Sequence, residues 1–311
     1  MPRYRPGGLM AGVVAALLWS PQFYVVRQML QGSDKANVLT FYFLVLLWGG
    51  AGSLLVLFLM DRTRELSVFK RAQAHLLFLV ATGGYGFWLL RAQALQRSVG
   101  SPSHVQLLFY AGPLLLGFMS LVTREAAKAG QIGGLLLGFV GCIMIAWNPA
   151  WRATEPGPSP GFRTSLIALA AAGCWAVFTL AARPLAKTEK PLPLSAIVLS
   201  MGALCILVTC FSMGTLPSVS PKILWTSILL GLTTAICLRF WLACLATAPA
   251  ASAAPLWYLS LVFGIFWAWQ MAGLSPGWFT LGGIALILVA SHSAGGGRVR
   301  PEASMSDLVR R

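Results

Sequence analysis

Long stretches of residues without a charge alternate with short charged segments along the whole chain. A bilayer core about 30 Å thick is crossed by about 20 helical residues, and each uncharged stretch supplies that length or nearly so. The pattern therefore predicts an all-α integral membrane protein with many spans. The stretches are Pro6–Val26, Ala36–Met60, Ala72–Leu90, Ser98–Thr123, Ala129–Trp151, Thr164–Ala182, Pro191–Pro221 and Phe240–Gly297.

Proline and glycine clusters divide the longest stretches into separate helices. Pro249, Pro255 and a turn at 273–277 separate three helices near the end of the chain. Ten transmembrane helices are predicted, and an even number places both chain ends on one side of the membrane. They cover residues 8–28, 37–60, 74–95, 103–123, 130–149, 164–184, 194–214, 222–244, 251–271 and 276–293.

Lysine and arginine are divided unequally between the two sets of loops. Fifteen lie on the side of the chain ends and seven on the opposite side. Because positive residues are retained in the cytoplasm, both termini are predicted to be cytoplasmic in a multi-pass protein of the inner or plasma membrane. The first helix is too long for a cleavable signal peptide, and the polar tail, 294–311, is predicted to be disordered.

The chain contains an internal repeat. Trp19 and Trp175 are related by an offset of 156 residues, and both Arg91 with Arg239 and Tyr110 with Tyr258 by an offset of 148. The repeat predicts two five-helix units, 1–150 and 164–293, joined by a loop at 151–163. Since five is an odd number, the second unit enters the membrane from the opposite side. This is an inverted-topology repeat, the arrangement of many secondary transporters.

The composition agrees with a membrane protein and removes other classes. Apolar residues make up 57% of the chain and charged residues 10%, and 23 basic residues against 8 acidic give a net charge of +15. The basic residues punctuate the spans instead of forming a hydrated patch, so no nucleic-acid partner is predicted. All six cysteines lie within spans without C-x-x-C or metal-ligand spacing. No metal and no cofactor are predicted.

Several short stretches resemble one transporter family. They are Trp19–Ser20 with Trp175, "SPSHVQLLFYAGPLLL" (Ser101–Leu116), "CLATAPAASAAPLWYLSLVFG" (Cys244–Gly264) and the paired glycines that open helices five and ten. Their order and duplication resemble the drug/metabolite transporter superfamily of the EamA type over nearly the whole chain. The resemblance implies a secondary transporter, more often an exporter, and "LWS" in helix one with the Arg that follows resembles the aromatic amino acid exporters.

Two arginines lie inside predicted spans. Arg91 and Arg239 each fall about 24 Å from the start of their helix. Long arginine side chains near helix ends can reach the headgroups. Alternatively, each guanidinium faces a central cavity and binds a carboxylate or phosphate of the substrate. The sequence leaves both interpretations open.

Aromatic residues are concentrated near the middle of several spans, where an interfacial belt would not place them. A mid-membrane tryptophan needs a partner for its indole N–H, and a polar-lined, water-containing cavity would supply one. The predicted substrate-binding residues are Trp19, Gln22, Tyr85, Trp88, Arg91, Gln106, Tyr110, Trp175, Arg239, Trp257 and Tyr258.

Three prolines are predicted to break their helices and act as hinges. Pro21, Pro113 and Pro255 lie in predicted helices one, four and nine, and irregular backbone at membrane depth is tolerated only against protein or a water-filled cavity. The alternative for Pro21 is a kink absorbed by packing, with no ligand nearby.

The predicted function is alternating-access transport of a small amphipathic metabolite, such as an amino acid or an aromatic carboxylate. All eight acids lie in loops, at helix ends or in the tail, which favours facilitated diffusion or exchange over coupling through a buried carboxylate. No catalytic constellation is present, so no enzyme is predicted. The alternatives are an efflux carrier for cationic drugs and a non-transporting scaffold. The expected partners are the small-molecule substrate and the lipid bilayer, for a monomer or homodimer.

Overall fold

The described part of this computed structural model consists of helices and short connections, without a strand. The structure describes residues 6–31, 37–98, 102–122, 129–147, 161–215, 219–273 and 275–295. Most of the predicted loop at 151–163 and nearly all of the predicted tail lie outside these residues.

The helices follow one another in the order that the uncharged stretches predict. They are α1 (Pro6–Trp19), α2 (Pro21–Gln31), α3 (Val38–Leu59), a 3₁₀ turn (Thr63–Ser67), α4 (Val68–Arg71), α5 (Gln73–Leu79), a π-helix (Val80–Gly86), α6 (Phe87–Gln96), α7 (Pro102–Phe109), α8 (Gly112–Val122), α9 (Ala129–Ala146), α10 (Phe162–Thr188), α11 (Pro191–Ser212), α12 (Pro221–Thr247), α13 (Ala250–Ala253), a 3₁₀ turn (Ala254–Tyr258), α14 (Leu259–Ala272) and α15 (Trp278–Gly295).

Seven helical segments in the described ranges are long and apolar enough to cross a membrane. Three further apolar helices, His104–Ser120, Gly130–Ala146 and Trp278–Ser293, are shorter. Each of the ten predicted spans therefore has an apolar helical counterpart, and seven of these have the full length. The protein is a multi-pass membrane protein.

All three predicted breaks occur. The first helix stops at Trp19 and restarts at Pro21, a position where the missing proline N–H costs no hydrogen bond. The hydroxyl of Ser20 between them donates to the carbonyl of Leu17 at 2.6 Å. Helix four is interrupted just before Pro113, and Pro255 lies in a 3₁₀ turn.

A fourth irregularity, the π-helix Val80–Gly86, was not predicted. It directly precedes α6, which carries Arg91. A Cβ atom added at Gly84 would lie 2.6 Å from the carbonyl oxygen of Val198, so the backbones of the π-helix and α11 are in close contact there. The absence of a side chain at Gly84 permits this approach.

The packing is unchanged when the two halves of the chain are exchanged. The first helix packs against the eighth (α1 on α12), and the sixth packs against the third (α10 on α6). The second and seventh helices pack together, as do the fifth and tenth (α3 on α11, α9 on α15). When two helices pack together, their counterparts in the other half therefore pack together as well.

Equivalent backbone contacts fix the register between the halves. The contact of Gly84 with Val198 and Gly202 has a counterpart in the contact of Gly231 with Val45 and Gly49. Gly84 and Gly231 are thus equivalent, at an offset of 147, and the buried positions of the third and eighth helices follow the same offset. At this offset Leu76, Val80, Gly84, Phe87, Trp88 and Arg91 correspond to Ile223, Ser227, Gly231, Thr234, Ala235 and Leu238.

The first and sixth helices match at the predicted offset of 156. Their buried positions coincide, so that Gly8, Gly12, Ala15, Ala16, Trp19 and Gln22 correspond to Thr164, Ala168, Ala171, Ala172, Trp175 and Phe178. The two halves thus place equivalent residues toward a common centre.

Candidate functional site

The centre of the molecule is a cluster of aromatic rings contributed by both halves. The ring centroid of Trp19 lies 5.0 Å from that of Trp257 and 5.5 Å from those of Trp88 and Trp175. Separations of 4.5 to 7 Å are typical of rings in direct contact. We call this group the aromatic cluster; it comprises Trp19, Tyr42, Phe87, Trp88, Phe109, Trp175, Phe178, Trp241 and Trp257.

The cluster encloses a narrow cavity. Its volume is about 20 Å³, room for about one water molecule. The cavity predicted from the sequence is thus present but small in this conformation, because the tryptophan rings pack against one another across the centre. A metabolite can enter only if the rings separate. The cavity is lined by Trp19, Phe87, Arg91, Gln106, Phe109, Tyr110, Trp175 and Trp257.

Arg91 places a positive charge in this apolar centre. The residue is only 3% exposed, and its guanidinium carbon lies 5.3 to 5.9 Å from the centroids of five rings. Cation–π attraction at such distances offsets part of the cost of burying the charge. The five rings are Trp19, Tyr42, Phe87, Trp88 and Phe109.

A short hydrogen-bonded chain holds the guanidinium. Arg91 Nη1 donates to Gln22 Oε1 at 3.3 Å, and Gln22 Nε2 donates to the hydroxyl of Thr234 at 2.7 Å. All three residues are buried. The hydroxyl of Thr234 fixes the orientation of the Gln22 amide, so that its oxygen faces Arg91.

The charge of Arg91 has no carboxylate partner within the described ranges. The ion pairs found there join Arg62 and Lys190 to Glu65 and Arg71 to Glu189, in the connections between spans. Nε of Arg91 is buried without a hydrogen-bond partner, and so is the indole nitrogen of Trp175 on the cavity wall. The site therefore offers unsatisfied donors, which suit an acceptor such as a carboxylate oxygen.

Most predicted site residues come together here. The cavity wall includes six of them, and two more lie directly behind it: Gln22 through its hydrogen bond to Arg91 and Trp88 through its ring contacts with Trp19 and Arg91. The six on the wall are Trp19, Arg91, Gln106, Tyr110, Trp175 and Trp257.

Two predicted tyrosines lie elsewhere. The hydroxyl of Tyr85 forms a 3.0 Å hydrogen bond with that of Thr209 in α11, and the hydroxyl of Tyr258 donates to the carbonyl of Leu135 in α9 at 3.1 Å. Both join helices outside the cavity wall. Tyr110, in contrast, lines the cavity while its hydroxyl is paired with that of Ser260 at 3.2 Å.

The placement of Arg239 in the cavity is wrong. Arg239 is exposed on the surface of α12, because the halves match at an offset of 147 in these helices and not at 148. One residue turns a helical side chain by about 100°. The equivalent of Arg91 is the buried Leu238, and Arg239 corresponds to the residue after Arg91. Of the two interpretations left open for these arginines, a place on the cavity wall holds for Arg91 and not for the exposed Arg239.

The prediction omitted Phe87, Phe109 and Tyr42. Helical spacing carried a usable signal for two of them: Phe87 lies four residues before Arg91, and Phe109 lies three residues after Gln106, so each shares a helix face with a cavity residue. Tyr42 lies in the uniformly apolar α3, where no spacing distinguishes it.

The two halves contribute different chemistry to the centre. The first half supplies Gln22 and Arg91, whereas the equivalent positions of the second half hold Phe178 and Leu238. All four are buried. The site therefore has a cationic pole, in which Thr234 of the second half supports Arg91 and Gln22 of the first, and an apolar pole formed by Trp175 and Trp257 of the second half.

Duplicated packing of helices around a central site occurs in many membrane transporters. The model of the EamA-like transporter family matches residues 6–147 and 163–292. The chain belongs to this family and is a membrane transporter of the drug/metabolite type for a small-molecule substrate; members of the family are generally not enzymes.

A solved structure has the same fold. It is described only as "Crystal structure of protein" and is similar with a TM-score of 0.76 at 19% identity, covering 93% of this chain and 96% of its own. Among curated proteins, none matches the sequence.

Proposed function

We propose that the protein is a secondary transporter that exports a small amphipathic carboxylate, such as an aromatic amino acid or an aromatic carboxylic acid. The guanidinium of Arg91 binds the carboxylate, and the aromatic cluster binds the apolar body of the substrate. The observation that carries the proposal is the buried charge of Arg91 beside the cavity.

The energetics of Arg91 support a role in binding. A buried charge costs several kcal/mol unless it is paired, and ionisable residues at membrane depth mark substrate or ion pathways. Cation–π contacts and one hydrogen bond to a neutral amide compensate Arg91 in part. A substrate carboxylate would complete the compensation through a forked hydrogen bond.

The apolar pole supports an aromatic substrate. Trp175 and Trp257 lie 4.7 Å apart on the cavity wall and offer flat faces for stacking. A cationic drug would instead meet the charge of Arg91 in a low-dielectric setting, which disfavours that alternative.

The duplicated packing supports a transport cycle of alternating access. We propose that two inverted five-helix units, 1–150 and 164–293, make ten spans and rock about the aromatic cluster. The substrate would then be exposed to either side in turn, by facilitated diffusion or exchange. Pro21, Pro113 and Pro255 act as the hinges, and both termini lie in the cytoplasm of an inner- or plasma-membrane protein.

The test is counterflow in proteoliposomes loaded with unlabelled substrate, with labelled phenylalanine or 3-phenylpropanoate added outside. We expect saturable uptake of at least one of them, which is lost in Arg91→Gln. Arg239→Gln is the matched control, because it removes an equally charged but exposed side chain. Uptake by this variant should equal that of the unchanged protein. Absence of counterflow for both compounds, or equal uptake by the two variants, would contradict the proposal.

A further inference from the structure

We infer that the site selects substrates with a net negative charge, so that an aromatic monocarboxylate is preferred to the zwitterionic amino acid of the same shape. This inference rests on the proposed function and narrows its substrate class. It depends on the charge of the site, on the balance of hydrogen-bond donors and acceptors, and on which aromatic faces are free.

Among the described residues of the cavity wall, Arg91 is the one that carries a charge. The other cavity-wall residues are aromatic or amide side chains, and all of them are uncharged. Every Asp and Glu of the chain lies outside the long uncharged stretches that predict the spans. Gln22 contacts the guanidinium but is a neutral amide. A bound monocarboxylate neutralises the charge of Arg91. The additional ammonium group of a zwitterionic amino acid would leave the occupied site with a net positive charge at low dielectric.

The hydrogen-bonding groups are also one-sided. Arg91 Nε and the indole nitrogen of Trp175 are donors without partners. The oxygen of Gln22 already accepts from Arg91, and that of Tyr110 pairs with Ser260; the Tyr42 hydroxyl beside Arg91 has no partner but carries no charge. A carboxylate finds donors in this site, but an ammonium group finds no anionic acceptor on the cavity wall.

Aromatic faces could in principle hold an ammonium group. However, the guanidinium of Arg91 already lies over Trp19, Phe87 and Phe109 on the cavity wall. An ammonium group on the face of Trp175 or Trp257 would share the same small cavity with this like charge and be repelled.

The test compares three compounds with one ring and closely similar side chains: 3-phenylpropanoate (anion), phenylalanine (zwitterion) and 2-phenylethylamine (cation). Each is measured as a competitor of counterflow in proteoliposomes of the full chain. We expect the anion to compete at a concentration about tenfold or more below the concentration that phenylalanine requires. The cation should be the weakest competitor of the three. Equal or stronger competition by phenylalanine would overturn the inference and leave the proposed function standing. If none of the three is transported or competes, the proposed function itself fails.

A charge swap at Gln22 sharpens the test. Gln22→Glu retains the size of the side chain and gives Arg91 a counter-ion, so the preference for the anion should fall by about tenfold or more. Gln22→Met, of similar size and without charge, should weaken the competition by the carboxylates but keep the preference for the anion. Folding of both variants is checked by gel filtration and thermal unfolding in detergent. If the two variants show the same preference for the anion over phenylalanine, charge selection by Arg91 is refuted. If Gln22→Glu does not fold, competition by the three compounds in Gln22→Met decides whether Arg91 selects by charge.

Discussion

The two halves of this transporter share a framework but differ at the centre. Trp19 and Trp175 are equivalent and lie 5.5 Å apart, whereas Gln22 and Arg91 of the first half correspond to Phe178 and Leu238 of the second. The comparison teaches that duplication supplies the packing scheme, and that a few substitutions at equivalent positions turn a symmetric centre into a site with a cationic and an apolar pole.

The backbone differs at the same place. The third helix contains the π-helix Val80–Gly86 just before Arg91, while its counterpart α12 is a continuous α-helix over Pro221–Thr247. Single π-turns within α-helices occur frequently at functional sites. The half that carries the charge is thus also the half with the irregular helix.

The largest effect is expected when the first half is made as apolar as the second. Arg91→Leu reproduces the residue at the equivalent position 238 and should reduce transport of an aromatic carboxylate by about 100-fold or more. The same change removes an incompletely paired buried charge, so the free energy of unfolding should rise by about 1 to 4 kcal/mol. Counterflow and denaturant unfolding in detergent measure the two quantities.

This combination of lost transport and gained stability distinguishes a binding residue from a structural one. Arg239→Leu, on the surface of α12, is the control and should leave transport unchanged. A fall in the stability of Arg91→Leu would mean that the guanidinium holds the fold together instead of serving the substrate.

The second prediction tests the symmetry of the framework. A Cβ atom at Gly202 would lie 2.3 Å from the carbonyl oxygen of Gly84, and one at Gly49 would lie 2.8 Å from that of Gly231. Gly202→Ala and Gly49→Ala should therefore each destabilise the protein by about 1 to 3 kcal/mol through overpacking. Unfolding in detergent measures the loss.

Gly173 provides the control for these two substitutions, because a Cβ there has no neighbour within 4 Å. Gly173→Ala should be neutral or stabilising. A large loss at only one of Gly49 and Gly202 would contradict the equivalence of the two contacts.

The third prediction sharpens the polar pole. Thr234→Val removes the hydroxyl that accepts from the Gln22 amide, at a cost of about 1 kcal/mol. We expect the apparent affinity for the carboxylate to fall by about fivefold, since Gln22 no longer holds Arg91 in one orientation. Thr233→Val is the control, because the hydroxyl of Thr233 donates to the carbonyls of Leu229 and Leu230 in its own helix, and it should have no such effect. Equal affinities in both variants would exclude a positioning role for Thr234.

The smallest effect concerns the connections between spans. Hydrogen bonds from Arg62 and Lys190 hold the pKa of the Glu65 carboxyl below its usual value of 4.5. Because the folded pKa is lowered, the stabilisation is present at neutral pH and is lost as the pH falls through the lowered pKa. Glu65→Gln should therefore be slightly less stable than the natural protein at pH 7.

The difference in stability between Glu65→Gln and the natural protein should vanish in acid. Thermal unfolding of both proteins across a pH series would measure it. The equivalent connection of the second half is joined instead by a hydrogen bond from Thr40 to the carbonyl of Thr215, so Thr40→Val should show no such pH dependence. A constant deficit of Glu65→Gln at every pH would contradict the ionic explanation.

The sequence predicted the parts of this molecule that depend on local chemistry. Uncharged stretches located the helices, and the inability of proline to donate a hydrogen bond located the breaks at Pro21, Pro113 and Pro255. Trp19 and Trp175, which the repeat singled out as candidate substrate-binding residues, lie 5.5 Å apart.

What could not be predicted depends on packing. A one-residue difference in offset decides whether Arg239 faces the centre or the surface, and only contacts between helices, such as that of Gly84 with Val198, reveal it. The π-helix and the approach of Tyr42 to Arg91 likewise depend on neighbouring helices. The extent to which the rings close the cavity is a property of the whole aromatic cluster.

The most direct test of the account is an experimental structure of the purified transporter with 3-phenylpropanoate bound. We predict that both carboxylate oxygens lie within hydrogen-bond distance of the Arg91 guanidinium and that the phenyl ring lies between Trp175 and Trp257. A carboxylate turned away from Arg91, or a ligand bound outside the aromatic cluster, would contradict the central claim that this single buried charge defines the substrate site.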